Sequence, residues 1–497
     1  MKPMWHGDHS RRIVSRVVVE GDLVLQTPAH FGNGDSDDVT DMPLLLDPLD
    51  EAEGRITPLL TGASLAGALR SYLREVESGY GKESGKQSLC VQLFGGLQDD
   101  DDGEQSPLVV EDARGLNGAI EFRDGVAIDG PSRTAAEKKK YDLQLWAAGT
   151  RFPLRFELVV RKYDDEAALP KALVTALGGL SNAGITLGMR KQRGYGAVTV
   201  KNWRVRQWDL RKPADLLDWL ENGTAPLSAQ APLETVLGPG LAKDARHYFT
   251  LEATFALDGS LLIRSEGRSA DKGPDMVHLK ARQAGGNIAP VLPGTSLAGV
   301  LRARAFKILA TLGDKQKAKT EVDDLFGTDM EELRKRRKHG DKNAKPRASR
   351  LKITEQVVKN AQDEFVQNRV SIDRFTGGAL ETALFNEQPV FGGKDSRLTL
   401  TLCLREPGEA EIGLLLQLLK DLWTGDLPVG GEGSVGRGRL QGFSARLIRS
   451  GDTLGTIAAV GERLQSLQLS NGLAEQVEKY AEKLKEQFGK AKPEVVA

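Results

Sequence analysis

Thr61-Gly62-Ala63-Ser64-Leu65-Ala66-Gly67-Ala68-Leu69-Arg70 returns 232 residues later as Pro293-Gly294-Thr295-Ser296-Leu297-Ala298-Gly299-Val300-Leu301-Arg302. Leu93-Phe94-Gly95 returns as Leu325-Phe326-Gly327 at the same offset of 232. Further on, Val126-Ala127-Ile128-Asp129 matches Val370-Ser371-Ile372-Asp373, and Arg193-Gly194 matches Arg437-Gly438, each pair 244 apart. Four landmarks in one order, drifting by only 12 residues, mark a duplicated domain. A period this long is not that of a solenoid of short repeats. Whatever the chain does must make sense in duplicate.

The length of 497 residues gives each copy room for its own core. With 68 basic and 69 acidic residues the net charge is −1, so no global field advertises a polyanion partner. The two cysteines, Cys90 and Cys403, occupy non-equivalent places and cannot form a zinc framework. No apolar run of membrane-spanning length and no hydrophobic leader at Met1–Arg12 are present. The expectation is a soluble cytoplasmic protein without membrane partners.

Alternating Val-rich residues from Ile13 to Gln26 predict a strand with a turn near Gly21-Asp22, and Leu251–Ile263 is its counterpart. A polar loop and then a helix follow in each copy, with Ser64 and Ser296 as candidate N-caps. Strands at Phe152–Arg161 and Leu398–Leu404, helices at Lys171–Gly179 and Ile412–Trp423, and closing strands at Ala197–Trp203 and Leu440–Leu447 complete the pattern. This order predicts an α+β fold: two tandem βαββαβ domains, ferredoxin-like and RRM-like. The expected division is 1–210 for the first domain, 211–246 for a linker and 247–450 for the second, with a basic insertion at about 330–352. Residues 451–497 form a tail ending in a charged helix, Leu473–Phe488, either solvated or docked on a neighbouring subunit.

The Gly-x-Ser block is not a serine-hydrolase elbow, because Ala66 and Ala298 stand where that turn needs glycine. It reads equally as a helix start facing phosphate or as a tightly packed, capped helix. The basic glycine loop Gly188–Gly196 (Arg190, Lys191, Arg193) and its counterpart Gly431–Arg439 (Arg437, Arg439) each open a strand. Close backbone approach plus forked arginine donors suits a nucleic-acid backbone, with a hairpin turn as the alternative. His30 and His278 fall in roughly comparable loops but read as unrelated. In each copy an aspartate precedes the repeated helix: Asp41-Met42 and Asp275-Met276 lie 234 apart. Such loop aspartates suit cation binding, acid/base work or turn chemistry.

Together, Asp41-x-Pro43, Asp47-Pro48, the Gly-x-Ser-Leu-x-Gly-x-Leu-Arg helix start, Leu-Phe-Gly, Arg123 to Asp129 and the late Gly-rich loop resemble the RAMP superfamily of CRISPR effector proteins. The similarity is to backbone subunits of type III complexes, and two such domains in one chain resemble the fused subunit of type III-D assemblies. The resemblance implies partners: CRISPR guide RNA, single-stranded target RNA and other subunits of the type III effector complex. It implies an endoribonuclease of antiviral defence that cuts target RNA with Mg²⁺ or another divalent cation. The cutting and metal-holding aspartate maps to Asp41 and Asp275, with Asp38 and Asp271 as alternatives. RNA contacts map to Ser64, Arg70, Arg190, Lys191, Arg193, Ser296, Arg302, Arg374, Arg437 and Arg439. A thumb hairpin wedged between nucleotides maps to Arg123–Trp146 and Arg369–Phe391, with Ile128, Asp129, Ile372 and Phe375 at its end. The rival expectations are a non-catalytic guide-binding scaffold and a guide-processing nuclease using His30 or His278.

Overall fold

The computed structural model describes residues 12–32, 34, 42–96, 105–128, 134–228, 230–266, 273–339, 341, 345–460 and 466–489. Asp38, Asp41, Asp129 and Asp271 lie outside the described residues.

In the first copy, β1 (Ile13–Leu25) is followed by α1 (Gly62–Ser78), α2 (Leu89–Phe94), β2 (Leu108–Val110), a hairpin of β3 (Ile120–Ile128) and β4 (Ala135–Trp146), β5 (Arg151–Arg161), α3 (Ala168–Ser181) and β6 (Val198–Asp209). The sheet runs β2-β5-β1-β6, antiparallel throughout. Phe152, Leu154, Phe156, Leu158 and Val160 point alternately inward from β5 and share one core with Leu65, Leu69 and Leu73 of α1 and Leu173 and Leu177 of α3.

The stretch expected as a linker carries α4 (Pro213–Asn222) and packs back on the first domain, burying Leu233 in its core with Leu237 and Leu241 against it. The second copy then repeats the plan with β7 (Tyr248–Asp258), β8 (Met276–His278), α5 (Gly294–Leu312), α6 (Lys315–Phe326), α7 (Met330–Lys338), β9 (Leu351–Ile353), the hairpin of β10 (Gln367–Ile372) and β11 (Ala379–Gln388), β12 (Leu398–Arg405), α8 (Glu409–Trp423) and β13 (Arg439–Arg449). Its sheet places β9-β12-β7-β13 in the same order and adds β14 (Asp452–Val460) and β15 (Ser466–Leu469) beyond β13. Two tandem ferredoxin-like domains, each with a hairpin insertion, are the architecture.

Three local expectations change. β1 runs straight through Gly21-Asp22; the register slips there, and a Cβ on Gly21 would collide with the Trp203 ring. The helix caps are Thr61 and Pro293, three residues before Ser64 and Ser296; Thr61 Oγ1 accepts the Ser64 N–H at 3.3 Å. The C-terminal stretch is part of the second domain. There α9 (Leu473–Phe488) buries Leu473, Tyr480, Leu484 and Phe488 in the second core, and Gly413 of α8 lets the Tyr480 carbonyl approach.

Most of the offset drift arises at one place. Ser106 Oγ bonds the carbonyls of Leu93 and Leu108 at 3.0 and 2.9 Å, and Ser349 Oγ bonds those of Leu325 and Leu351 at 3.0 and 2.8 Å. The two serine clasps are equivalent, but the first closes 13 residues of chain and the second 24.

Candidate nucleic-acid interface

The arginine that ends the repeated motif ties it to the second landmark. Arg70 Nη2 donates to the carbonyls of Gly95 and Gly96, both at 3.2 Å, and Arg302 Nη1 donates to Gly327 at 2.6 Å while pairing with Asp323. Both side chains hold the Leu-Phe-Gly turn against its helix. Ser64 is exposed and Ser296 half-buried in the first helical turn. The N–H of Gly62 donates to Asp112 Oδ1 at 2.6 Å, so a carboxylate already complements that helix start. At the second helix start, Gly294 abuts the carbonyls of Arg193 and Ile353, with no room for a side chain. Both helix starts are tightly packed, and the first is also capped by Thr61.

The glycine loops align through their backbone. Arg190 and Glu432 are left-handed at φ 56° and 58°, followed by Gly194 and Gly436 at 94° and 90°. This register pairs Arg193 with Val435 and Tyr195 with Arg437, two residues off the pairing suggested by the Arg-Gly dipeptides. In the first loop Arg190 Nη1 donates to Tyr141 Oη at 2.6 Å with its guanidinium 4.6 Å from the ring centre, and Lys191 is exposed. Arg193 crosses to the second domain and donates to the Phe326 carbonyl; burial, then the nearby Arg302, pulls its pKa down to about 10. In the second loop Arg437 is buried and Arg439 exposed.

The two hairpins frame the aspartates. Met42 bridges Leu143 in parallel, and Met276 bridges Glu387 in the same way. Asp275 thus holds in its domain the place that precedes Met42 in the first. Its N–H donates to Asn386 Oδ1 at 2.7 Å and its Oδ2 accepts the Asn386 N–H at 2.9 Å, while the side chain stays exposed. At the second hairpin's tip Asp373 Oδ1 accepts the Phe375 N–H at 2.9 Å, Arg374 is exposed and Phe375 is 99% exposed. Ile128 and Ile372 are exposed on their strands.

Beneath the hairpins the domains differ. The first packs Leu143, Tyr195 and Met42 together. The second replaces Leu143 and Tyr195 with Glu387 and Arg437, paired at 3.0 Å, and adds Arg369, which bonds Glu387 and Glu432, each at 2.9 Å. Sequence reasoning missed this network, and also Asn386. The signal lay in Glu432, the one acid standing where the first loop has Arg190.

The first domain meets the second along a seam. Arg123, near the base of the first hairpin, forms a forked ion pair with Glu355, Nη1 to Oε2 at 2.8 Å and Nη2 to Oε1 at 3.2 Å, with both side chains buried. Beside it a cleft of about 480 Å³ lies between Ile120–Phe122 of the first hairpin and Val277–Lys280, Arg282 and Ile288 of the second domain. Asp275 stands two residues before Val277, which lines this cleft.

Both histidines are buried and bonded to backbone groups. His30 Nδ1 bonds the Gln144 carbonyl at 2.9 Å, and burial lowers its pKa. His278 Nδ1 accepts the Ile263 N–H at 3.1 Å and Nε2 faces the Val291 carbonyl at 3.1 Å; burial pushes its pKa down to about 4. Their places are not equivalent: the His30 carbonyl accepts the Met189 N–H, and in the second domain the Leu262 carbonyl accepts the matching Gly431 N–H.

Comparison with known families matches residues 22–199 and 268–441 to the RAMP superfamily, one match over each domain. The chain belongs to the RAMP superfamily. Membership makes it a CRISPR-associated, RNA-binding subunit, and both matches cover the repeated helix, the hairpin and the glycine loop described above. No curated protein matches the chain. Among the described residues no helix is long and apolar enough to cross a membrane, and no group of three or more His, Cys, Asp or Glu could enclose a metal ion.

Proposed function

We propose that this RAMP protein is a subunit of a type III CRISPR effector, of the fused type III-D kind, that holds guide RNA and cuts the paired target once per domain. The observation that carries the reading is Asp275: an exposed carboxylate, held by Asn386 on the hairpin strand, two residues from Val277, which lines the cleft between the domains. Asp41 would play the same part in the first domain. RNA carries its own nucleophile, the 2′-hydroxyl, so the protein's task is to unstack one nucleotide and align that oxygen with the next phosphate. The exposed Phe375 and Ile372 suit the unstacking, and Arg190, Lys191, Arg374 and Arg439 suit phosphate contacts.

An ordinary aspartate is a weak base at neutral pH. A lone hard oxygen donor fits a divalent cation shared with substrate phosphate, in the manner of Mg²⁺, better than an all-protein cage. Asp275 and Asp41 would hold that ion, which would supply charge stabilisation to the phosphate under attack. Asn386 orients the carboxylate, and the cleft walls limit the path of the strand.

The test is cleavage of end-labelled target RNA by the assembled, guide-loaded complex carrying wild type, Asp41→Ala, Asp275→Ala or both, with and without EDTA. Each single change should delete one product and leave the other, and EDTA should abolish both. A scaffold reading draws on the double bond between Asp275 and Asn386, which would also serve as a turn clamp. An undiminished ladder in the double variant would establish that reading and place the nuclease in another subunit.

A further inference from the structure

The longer clasp of the second domain encloses a segment that the reading above does not use. From Thr328 to Arg350 the sequence has nine Lys or Arg against four Asp or Glu, in a chain of net charge −1. The corresponding stretch of the first domain, Gly96 to Gln105, has five acids and no Lys or Arg. The charge therefore belongs to one copy and is not part of the shared plan.

The segment is anchored. Leu333 of α7 is only 1% exposed, whereas Arg334, Lys335, Arg336, Arg337 and Lys338 are all exposed. The Thr328 N–H donates to the Arg347 carbonyl at 3.1 Å and the Arg347 N–H to Thr328 Oγ1 at 2.9 Å, closing the base. That base adjoins the seam, because the neighbouring Phe326 carbonyl accepts from Arg193 of the first domain. Arg336 pairs with Asp341, yet the run Arg334 to Lys338 keeps an exposed excess of positive charge that suits a polyanion. Arginine forks match phosphate oxygens. Thr328 to Arg350 has no Phe, Tyr or Trp on which a base could stack, so contact would be with the backbone and blind to sequence.

We propose that α7 forms a second RNA-backbone contact, an arm that grips the phosphates of a single strand near the seam between the domains. It rests on the RNA-binding character of the chain and not on cutting by either aspartate.

The experiment compares full-length wild type, a variant with Arg334, Lys335, Arg337 and Lys338 all changed to Ala, and a charge-keeping Arg334→Lys/Arg337→Lys variant. Arg336 is left alone because it pairs with Asp341 at 2.6 Å. Binding of a short oligouridylate is titrated across salt concentration. The alanine variant should bind about tenfold more weakly at low salt, its salt slope falling by about 0.7 for each phosphate no longer neutralised, and the lysine variant should keep the slope. Cut positions in the assembled complex should not move. Unchanged affinity and slope in the alanine variant would overturn the proposal. So would competition for α7 by polyglutamate but not by oligouridylate, which would mark a surface for an acidic protein. If Asp275→Ala left cutting intact, the cutting assignment alone would fall and the salt slopes would stand.

Discussion

Arg123 and Glu355 are paired in a fork across the seam, and Glu121 bonds the same guanidinium from the other side. Burial raises the Glu121 pKa, against the pull of Arg123. Removing the arginine leaves two buried acids facing one another. Arg123→Ala should cost about 3–5 kcal/mol and split chemical unfolding into two transitions, one per domain. Glu355→Gln combined with Arg123→Gln should cost less than the sum of the singles, measurable as a coupling energy.

Asn386→Ala removes the side-chain acceptor that holds the Asp275 N–H but leaves the carboxylate present. If the aspartate cuts, misplacing it should slow cleavage at the second site by up to about a hundredfold and spare the first. Site-resolved single-turnover rates read this directly. Equal rates at both sites would mean that Asn386 does not position the carboxylate.

Phe375 touches nothing that its loss would destabilise, so Phe375→Ala should leave the melting temperature unchanged. Its absence should weaken target binding by about 1–3 kcal/mol, the worth of one base stacked on an aromatic ring. Affinity for guide-paired target, measured beside thermal melting, checks both halves.

His278 ties together three backbone segments in its neutral form. Its folded pKa, about 4, lies below the ordinary value of 6.5, so the unfolded chain binds the extra proton. The contribution is present above about pH 6.5 and is lost as pH falls toward 4, by up to about 3 kcal/mol. The stability advantage of wild type over His278→Gln should therefore shrink on acidification, as denaturant titrations at stepped pH would record.

The duplicated plan was legible because both domains keep apolar residues on one strand face and one helix face, and because each Leu-Phe pair is buried while Gly95 and Gly327 take a positive φ that favours glycine. Where the sequence misled, several geometries shared one local pattern. Ser64 looks like a cap, but Thr61 sits where the chain enters the helix. Arg-Gly at 437 invited a two-residue slip that only the left-handed backbone of Arg190 and Glu432 resolves. Arg123, Glu355 and Asn386 could not be found from sequence, since their partners lie 232 and 111 residues away across the fold. The helix at Leu473–Phe488 was placed correctly along the chain, but its docking onto α8 depends on Gly413, a residue the helical pattern does not single out.

Arg123 and Glu355 belong to one polypeptide, and that fixes an inventory. Separate subunits would find each other by mass action, so dilution or an excess of one kind would change how many pairs existed. Here translation itself delivers the two domains in equal number and fixed order. A competing copy would have to displace a partner held at the high local concentration that a tether imposes.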